Sequence, residues 1–311
     1  MRVLVTGGAG FVGSNVVAEA VRRGDDVAAT IRASPARPDP RCLYVNVDLL
    51  DREATLSVVA DITPDVIVHT AILNNFSGIY AERQAAWDAY VEATRTLADA
   101  ANAVDATLVT VSTDWVFDGT QTMADEHTPP NPINLYGVLK LTSEIVTLER
   151  AQAPIVARVA GVMGTHRAQP TMPRQQDPGF GYFVSAVVDA LSSGTPFAVW
   201  ESESINMVAT PSLASLSADW ILELAQAGAR GVFHCCGGEA TSRLDLARAA
   251  ADVFELDAAL LRSGEPDPQS LPPAPIPYDT SLDARRTAAL IGRELPSLRD
   301  LLHGFRAERA A

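Results

Sequence analysis

The amino-acid sequence predicts a doubly wound α/β fold: a parallel sheet covered by helices on both faces, with a smaller C-terminal substrate-binding lobe. Three observations predict it. Over the first 160 residues, short apolar runs alternate with amphipathic stretches, the rhythm of strands feeding crossover helices. A glycine-rich turn joins the first apolar run to the first amphipathic stretch. A tyrosine and a lysine, Tyr136 and Lys140, stand four apart on a later amphipathic stretch and so share one helical face.

In chain order, strands are expected at residues 2–6, 26–31, 43–47, 65–69, 107–112 and 155–159, and helices at 11–23, 51–60, 81–104 and 135–151. The proline-rich stretch 33–41 reads as loop. After residue 160 the rhythm loosens. Residues 164–179, with Pro170, Pro173 and Pro178, read as a long loop of the kind that carries function. A helix at 182–191, a strand at 197–200, a helix at 213–227, a strand at 231–235 and a helix at 242–254 follow. Six prolines between Pro266 and Pro277 argue against regular structure there. This pattern divides the chain into a dinucleotide-binding part, 1–160, completed by parts of 205–235, and a substrate-binding part, mainly 161–311.

A length of 311 residues and a hydrophobic fraction of 47% supply ample material for such a core. A net charge of −14 argues against a nucleic-acid groove or a basic membrane-docking face. No apolar run approaches the roughly 18 residues needed to span a bilayer. The opening Met-Arg-Val-Leu-Val runs straight into glycines and does not read as a signal peptide. Cys42, Cys235 and Cys236 make neither a disulfide framework nor a metal site, so reduced thiols in the cytoplasm are expected, with no metal.

An acidic chain that binds a phosphate ligand must supply local positive charge. Thr6-Gly7-Gly8-Ala9-Gly10-Phe11-Val12-Gly13 supplies it by its place between strand and helix. Gly7 allows the tight turn, Gly10 lets backbone approach a pyrophosphate, and Gly13 lets helix pack on strand. The phosphates then meet the free N–H groups of the helix N-terminus. A carboxylate ending the second strand would grip the 2′-hydroxyl of NAD; here Arg32 stands instead, which favours the 2′-phosphate of NADP(H) over NAD(H). Asp48 is placed either to reach the adenine or to cap the following helix. Leu49, Ala71, Phe11 and Val12 complete the expected cofactor contacts.

Ketone reduction by hydride transfer needs a proton donor for the new alkoxide. A tyrosine at its ordinary pKa of about 10 serves poorly near neutrality, and a neighbouring ammonium lowers it. Lys140 is the only lysine among 24 basic residues; the other 23 are arginine. A bulky, planar guanidinium cannot replace a compact ammonium that must reach both ribose and tyrosine. Thr113, leaving the fifth strand at its carboxyl end, is placed to hydrogen-bond the substrate carbonyl. Asp114 and Trp115 follow it toward the substrate.

With these pieces together the chain resembles the extended short-chain dehydrogenase/reductases, most closely the dTDP-4-dehydrorhamnose reductase family. That family's Ser-Thr-Asp-Tyr-Val-Phe-Asp-Gly run is nearly matched by Ser112–Gly119. Its acid, prolines and asparagine before Tyr-Gly-x-x-Lys are matched by Asp125, Pro129, Pro130, Pro132, Asn134 and the run from Tyr136 to Lys140. Its C-terminal segment is similar to Ser281-Leu282-Asp283 followed by Gly292-Arg293-Glu294-Leu295-Pro296. The resemblance implies a Thr113/Tyr136/Lys140 triad, hydride transfer from NADPH and a 4-keto-6-deoxy sugar nucleotide as substrate. A homodimer is an open expectation. Three departures fall around the substrate: Trp115 replaces the family's tyrosine, Gly161 its aromatic after the sixth strand, and Tyr90 the asparagine before the fifth. A dehydratase would carry glutamate at Trp115, which excludes that chemistry. Two alternatives stay open, a sugar-nucleotide epimerase with the same triad, and a non-catalytic NADP-binding regulator resembling the methionine adenosyltransferase regulatory subunit.

Overall fold

Strands buried on both faces read as near-continuous apolar runs, and the first strand is such a run. In β1 (Arg2–Thr6), Val3 and Val5 point into one hydrophobic layer and Leu4 into the other, the period of two that a two-sided sheet demands. The computed structural model describes residues 1–73, 76–170, 176–271 and 273–310. In chain order β1 is followed by α1 (Phe11–Arg22), β2 (Asp26–Ile31), β3 (Cys42–Asn46), α2 (Arg52–Ile62) and β4 (Val66–His69). Next come α3 (Phe76–Ala81), α4 (Arg83–Trp87), α5 (Ala93–Ala103), β5 (Thr107–Thr113), α6 (Leu135–Arg150) and β6 (Pro154–Val159). The second half holds β7 (Val162–Met163), α7 (Phe183–Ser192), β8 (Phe197–Trp200), β9 (Val208–Ala209), β10 (Ser212–Leu213), α8 (Ala214–Gln226) and β11 (Gly231–His234). It ends with β12 (Thr241–Ser242), α9 (Arg243–Val253), β13 (Leu261–Gly264), β14 (Asp279–Thr280), α10 (Arg285–Ile291) and α11 (Leu298–Ala310).

Seven of these strands form one parallel sheet in the order β11-β6-β5-β4-β1-β2-β3. The chain runs outward from β1 through β2 to β3, then returns to place β4 on β1's other side. The order reverses there, and in open α/β sheets ligands bind at the carboxyl ends of strands beside such a reversal. Thr6 pairs with both Thr30 and His69, so the ends of β1, β2 and β4 open together on one edge. One face of the sheet packs on α1 and α8 through Val16, Val17, Ala20, Trp220, Ile221 and Leu224. The other packs on α2 and α5 through Val59, Leu97, Ala98 and Ala101. A separate core joins α7, α9 and α11 through Phe183, Val187, Leu246, Ala250, Leu302 and Phe305.

Several elements differ from the sequence reading. The helix expected over 81–104 runs from Arg83 to Ala103 as one helical stretch, α4 and α5 being joined by a π-helical turn. Glu82, at φ −119° and ψ 62°, interrupts the run between α3 and α4, and Asp88–Glu92 forms a π-helical turn before α5. That turn buries Tyr90 and Val91. Helices α10 and α11 were not expected, although α11 buries Leu301, Leu302 and Phe305 as an amphipathic helix should. The proline-rich stretch is irregular apart from a single 3₁₀ turn at Pro268–Ser270. Pro173 and Pro272 lie outside the described residues.

Candidate functional site

The turn after β1 is built as its glycines require. Gly7 has φ +72°, and a Cβ on it would stand 2.8 Å from the Ala71 Cα. A Cβ on Gly13 would overlap the Gly7 carbonyl oxygen and come within 2.6 Å of Thr70 Oγ1. The amides of Gly7 and Gly8 both donate to Thr30 O at 3.1 Å, tying the turn to the end of β2. Gly8, which the sequence reading passed over, is packed as tightly: a Cβ there would stand 2.5 Å from the Ala29 Cβ. Helix α1 opens at Gly10 with no capping side chain and no acid in its first turn. Its N-terminal amides and dipole therefore face the cleft uncompensated, which fits a pyrophosphate.

A cleft of about 940 Å³ runs from this turn across the carboxyl ends of the strands. Gly7, Gly10, Phe11, Val12, Gly13, Arg32, Asp48, Leu49 and Ala71 line it at one end. Arg32 is exposed just past β2, with no ion-pair partner among the described residues. Asp48 is exposed and accepts from the Leu50 amide at 3.1 Å. It does not cap α2. That role belongs to Asp51, whose carboxylate accepts from the Ala54 amide at 3.0 Å.

Thr113, Asp114, Trp115, Tyr136 and Lys140 line the other end of the same cleft. Asn134 caps α6 by accepting from the Gly137 amide, and Gly137 lies where a Cβ would overlap the Trp115 carbonyl. This contact seats the start of α6 directly on the turn after β5. Lys140, one helical turn on, is 6% exposed and donates to Val111 O at 2.5 Å. Burial pulls its pKa down to about 8, against the carboxylate of Glu144, which pulls it back up. Its Nζ stands 5.9 Å from the centre of the Tyr90 ring. Tyr90 donates to Leu73 O at 3.1 Å and meets Tyr136 edge to face at 6.2 Å.

Around Tyr136 the wall is aromatic. Trp115 meets it edge to face at 5.8 Å, and Phe76 packs on Trp115 at 5.7 Å and on Tyr136 at 6.1 Å. Thr113 donates to Asp114 Oδ1 at 2.9 Å, and Thr280 donates to Asp114 Oδ2 at 2.5 Å. Burial raises the Asp114 pKa to about 6, offset in part by these two hydroxyls. Behind the site, Ser112 donates to Glu144, whose carboxylate takes a two-pronged bond from Arg158 at 2.9 and 2.7 Å. That buried pair fixes α6 against β5 and β6. Gly161 lies on the cleft wall at φ +48°, 3.5 Å in Cβ distance from Phe180.

Sequence reasoning missed the residues that reach the cleft from the second half. Asp177, Gly179, Phe180, Tyr182, Asn206 and Gln269 all line it. Tyr182, at φ +59°, stacks on Phe11 at 5.1 Å and so bridges the second half to the glycine turn. The one available signal was the proline- and glycine-rich run near 178, which marked a functional loop without saying which side chains turn inward.

Fold and cleft together define an extended short-chain dehydrogenase/reductase. The chain belongs to the family described as RmlD substrate binding domain, whose model matches residues 1–309. It is 30% identical over 299 residues to the methionine adenosyltransferase 2 subunit beta of Bos taurus, covering 95% of this chain and 84% of that protein. It is 26% identical over 308 residues to the probable low-salt glycan biosynthesis reductase Agl14 of Haloferax volcanii, covering 99% and 98%. The dTDP-4-dehydrorhamnose reductase of Bacillus anthracis, solved in complex with NADP, superposes at TM-score 0.80 and 20% identity over 99% of both chains, a likeness of fold. Among the described residues no helix is long and apolar enough to cross a membrane, and no cluster of acids, histidines or cysteines could hold a metal.

Proposed function

We propose that the chain is an NADPH-dependent reductase of a keto group, with a 4-keto-6-deoxy sugar nucleotide as substrate. The observation that carries this is the burial of the chain's only lysine in the cleft that also holds Tyr136, Thr113 and the glycine turn. When bound, NADPH supplies the hydride. The amides at the head of α1 hold the pyrophosphate, and Arg32 pairs with the 2′-phosphate. Tyr136 hydrogen-bonds the substrate carbonyl oxygen, Thr113 joins it by turning its one hydroxyl hydrogen from Asp114 Oδ1 to that oxygen, and Tyr136 gives it a proton as negative charge develops there. The Lys140 ammonium favours the resulting phenolate. Trp115 and Phe76 supply apolar faces for the sugar ring. Residues 1–160 with β11 and α8 act as the cofactor part, and most of 161–311 as the substrate part.

The test is NADPH oxidation against a panel of 4-keto sugar nucleotides, with turnover expected for at least one and loss of it in Tyr136→Phe. Turnover that survives Tyr136→Phe unchanged would remove the mechanism. The 30% identity to methionine adenosyltransferase 2 subunit beta favours one second reading, an NADP-binding partner of a methionine adenosyltransferase. That reading predicts NADP binding, no turnover across the panel, and a stable complex with such an enzyme by gel filtration.

A further inference from the structure

Arg243 heads α9 and is 0% exposed, yet among the described residues no carboxylate lies within ion-pair distance of it. A buried cation is costly, and beyond the pull of the nearby Asp177 charge this guanidinium is solvated by hydrogen bonds. Burial lowers its pKa to about 10, against the Asp177 charge, which raises it, so it stays charged at neutral pH. Its donors are spent on one wall of the cleft. Nε donates to Asn206 O at 2.7 Å, Nη2 to Asp177 O at 2.9 Å and to Gly179 O, and Nη1 to Gln176 Oε1 at 3.3 Å. Its plane lies over the rings of Phe180 and Phe183, at 4.9 and 5.3 Å. The Asn206 amide closes the same loop from the other side by donating to Pro178 O at 2.9 Å.

That wall touches the candidate catalytic end at Gly179. A Cβ on Gly179 would stand 3.1 Å from Trp115 Cζ2, so backbone lies directly on the indole. The indole in turn stands edge to face with Tyr136. We propose that Arg243 is a positioning residue for the substrate end: it clamps the 176–179 wall against Trp115 and so sets the gap above Tyr136 in which a carbonyl substrate sits. Only a planar fork of donors serves three carbonyls and an amide at once; a lysine would serve them as a point charge. The inference rests on the reductase reading for its kinetic arm alone.

The experiment compares wild type, Arg243→Met, Arg243→Lys and Gly179→Ala. Acrylamide quenching of Trp115 emission is isolated by subtracting the same protein carrying Trp115→Phe, and needs no substrate. In Arg243→Met the Trp115 quenching constant is expected to rise about twofold, while the NADP⁺ Kd stays within about twofold of wild type. With a substrate from the panel, KM rises about tenfold and kcat changes less. Arg243→Lys recovers only part of this. Gly179→Ala, whose methyl presses on the indole and on Asp177 Oδ1, changes Trp115 quenching and raises KM, which tests the wall's contact with Trp115; if Arg243→Met does not fold, Arg243→Lys decides the role of the guanidinium. Unchanged Trp115 quenching in the folded variants, or NADP⁺ affinity collapsing with it, overturns the proposal. If wild type turns over nothing in the panel, the reductase reading falls while the quenching still decides the role of Arg243.

Discussion

A single ammonium, nearly buried on the cleft wall and held by one backbone carbonyl, makes the chemistry of Lys140 separable from the rest of the protein. An amine-directed reagent has only Lys140 and the terminal amine to react with. Saturating NADP⁺ is expected to protect Lys140 while the terminal amine labels as before, read by peptide mass spectrometry; equal labelling with and without NADP⁺ would move Lys140 out of the cofactor site. Lys140→Arg should lose at least about a hundredfold in turnover, because the guanidinium keeps the charge and loses the fit. Asp114 gives a pH-dependent counterpart. Its folded pKa of about 6 lies above the unfolded 3.8, so the folded chain holds this proton more firmly. The stability it lends is complete below pH 3.8 and is lost as pH rises through 6, by about 1.4 kcal/mol for each pH step between those two values. In Asp114→Asn an amide hydrogen can donate to Thr280 Oγ1, freeing the Thr280 proton for Asn206 Oδ1 at 3.2 Å. The variant's Tm advantage over wild type should therefore grow from pH 4 to pH 7; a constant difference would mean Asp114 titrates normally. Of these residues, the glycines, Tyr136 and Lys140 were legible because their chemistry depends on local spacing. Gly179 and Arg243 were not, because they act through contacts 64 residues apart that no local pattern encodes.

At the scale of elements, strands were read closely and helices less so, for one physical reason. A strand buried on both faces is a run of apolar residues whose ends are set by turns, and β1 and β2 fall where the runs fall. The 81–104 stretch kept its helical periodicity through an interruption at Glu82 and a π turn at Asp88–Glu92, because one extra residue in a turn leaves the surrounding apolar spacing nearly intact. Tyr90 is buried in that turn, with its ring centre 5.9 Å from Lys140 Nζ. The end of β2 carries a sharper consequence. Thr30 O holds the glycine turn through two amides, and Arg32 emerges two residues later on the same cleft edge. A charge-assisted phosphate contact contributes roughly 1.5–3 kcal/mol, so NADP⁺ should bind more than about tenfold tighter than NAD⁺. Arg32→Ala should erase most of that difference by titration calorimetry, and equal affinities in the unmodified protein would refute the assignment.

For the whole molecule, the sequence suggests a dinucleotide-binding part of residues 1–160 completed by parts of 205–235, and one hydrophobic core spans both stretches. β11 pairs with β6 from Gly231 to His234, covering what would otherwise be an open sheet edge. Helix α8 packs on α1, and Trp220, Ile221, Leu222 and Leu224 are each 0–1% exposed in the layer that contains Val3, Val5 and Val16. Each such side chain contributes roughly 1.5–3 kcal/mol by burial. Four of them together, about 6–12 kcal/mol, are comparable with the roughly 5–15 kcal/mol by which a domain of this kind is stable. A fragment of residues 1–160 therefore loses α8 from one face of its sheet and exposes β6, although it retains the glycine turn, Tyr136 and Lys140. It is expected to show no cooperative urea transition by circular dichroism and no NADP⁺ binding, whereas a fragment extended to residue 240 restores the missing strand and helix and should regain a transition. A cooperative transition in the 1–160 fragment would show that the cofactor half is a domain in its own right, and that β11 and α8 only decorate a core already complete without them.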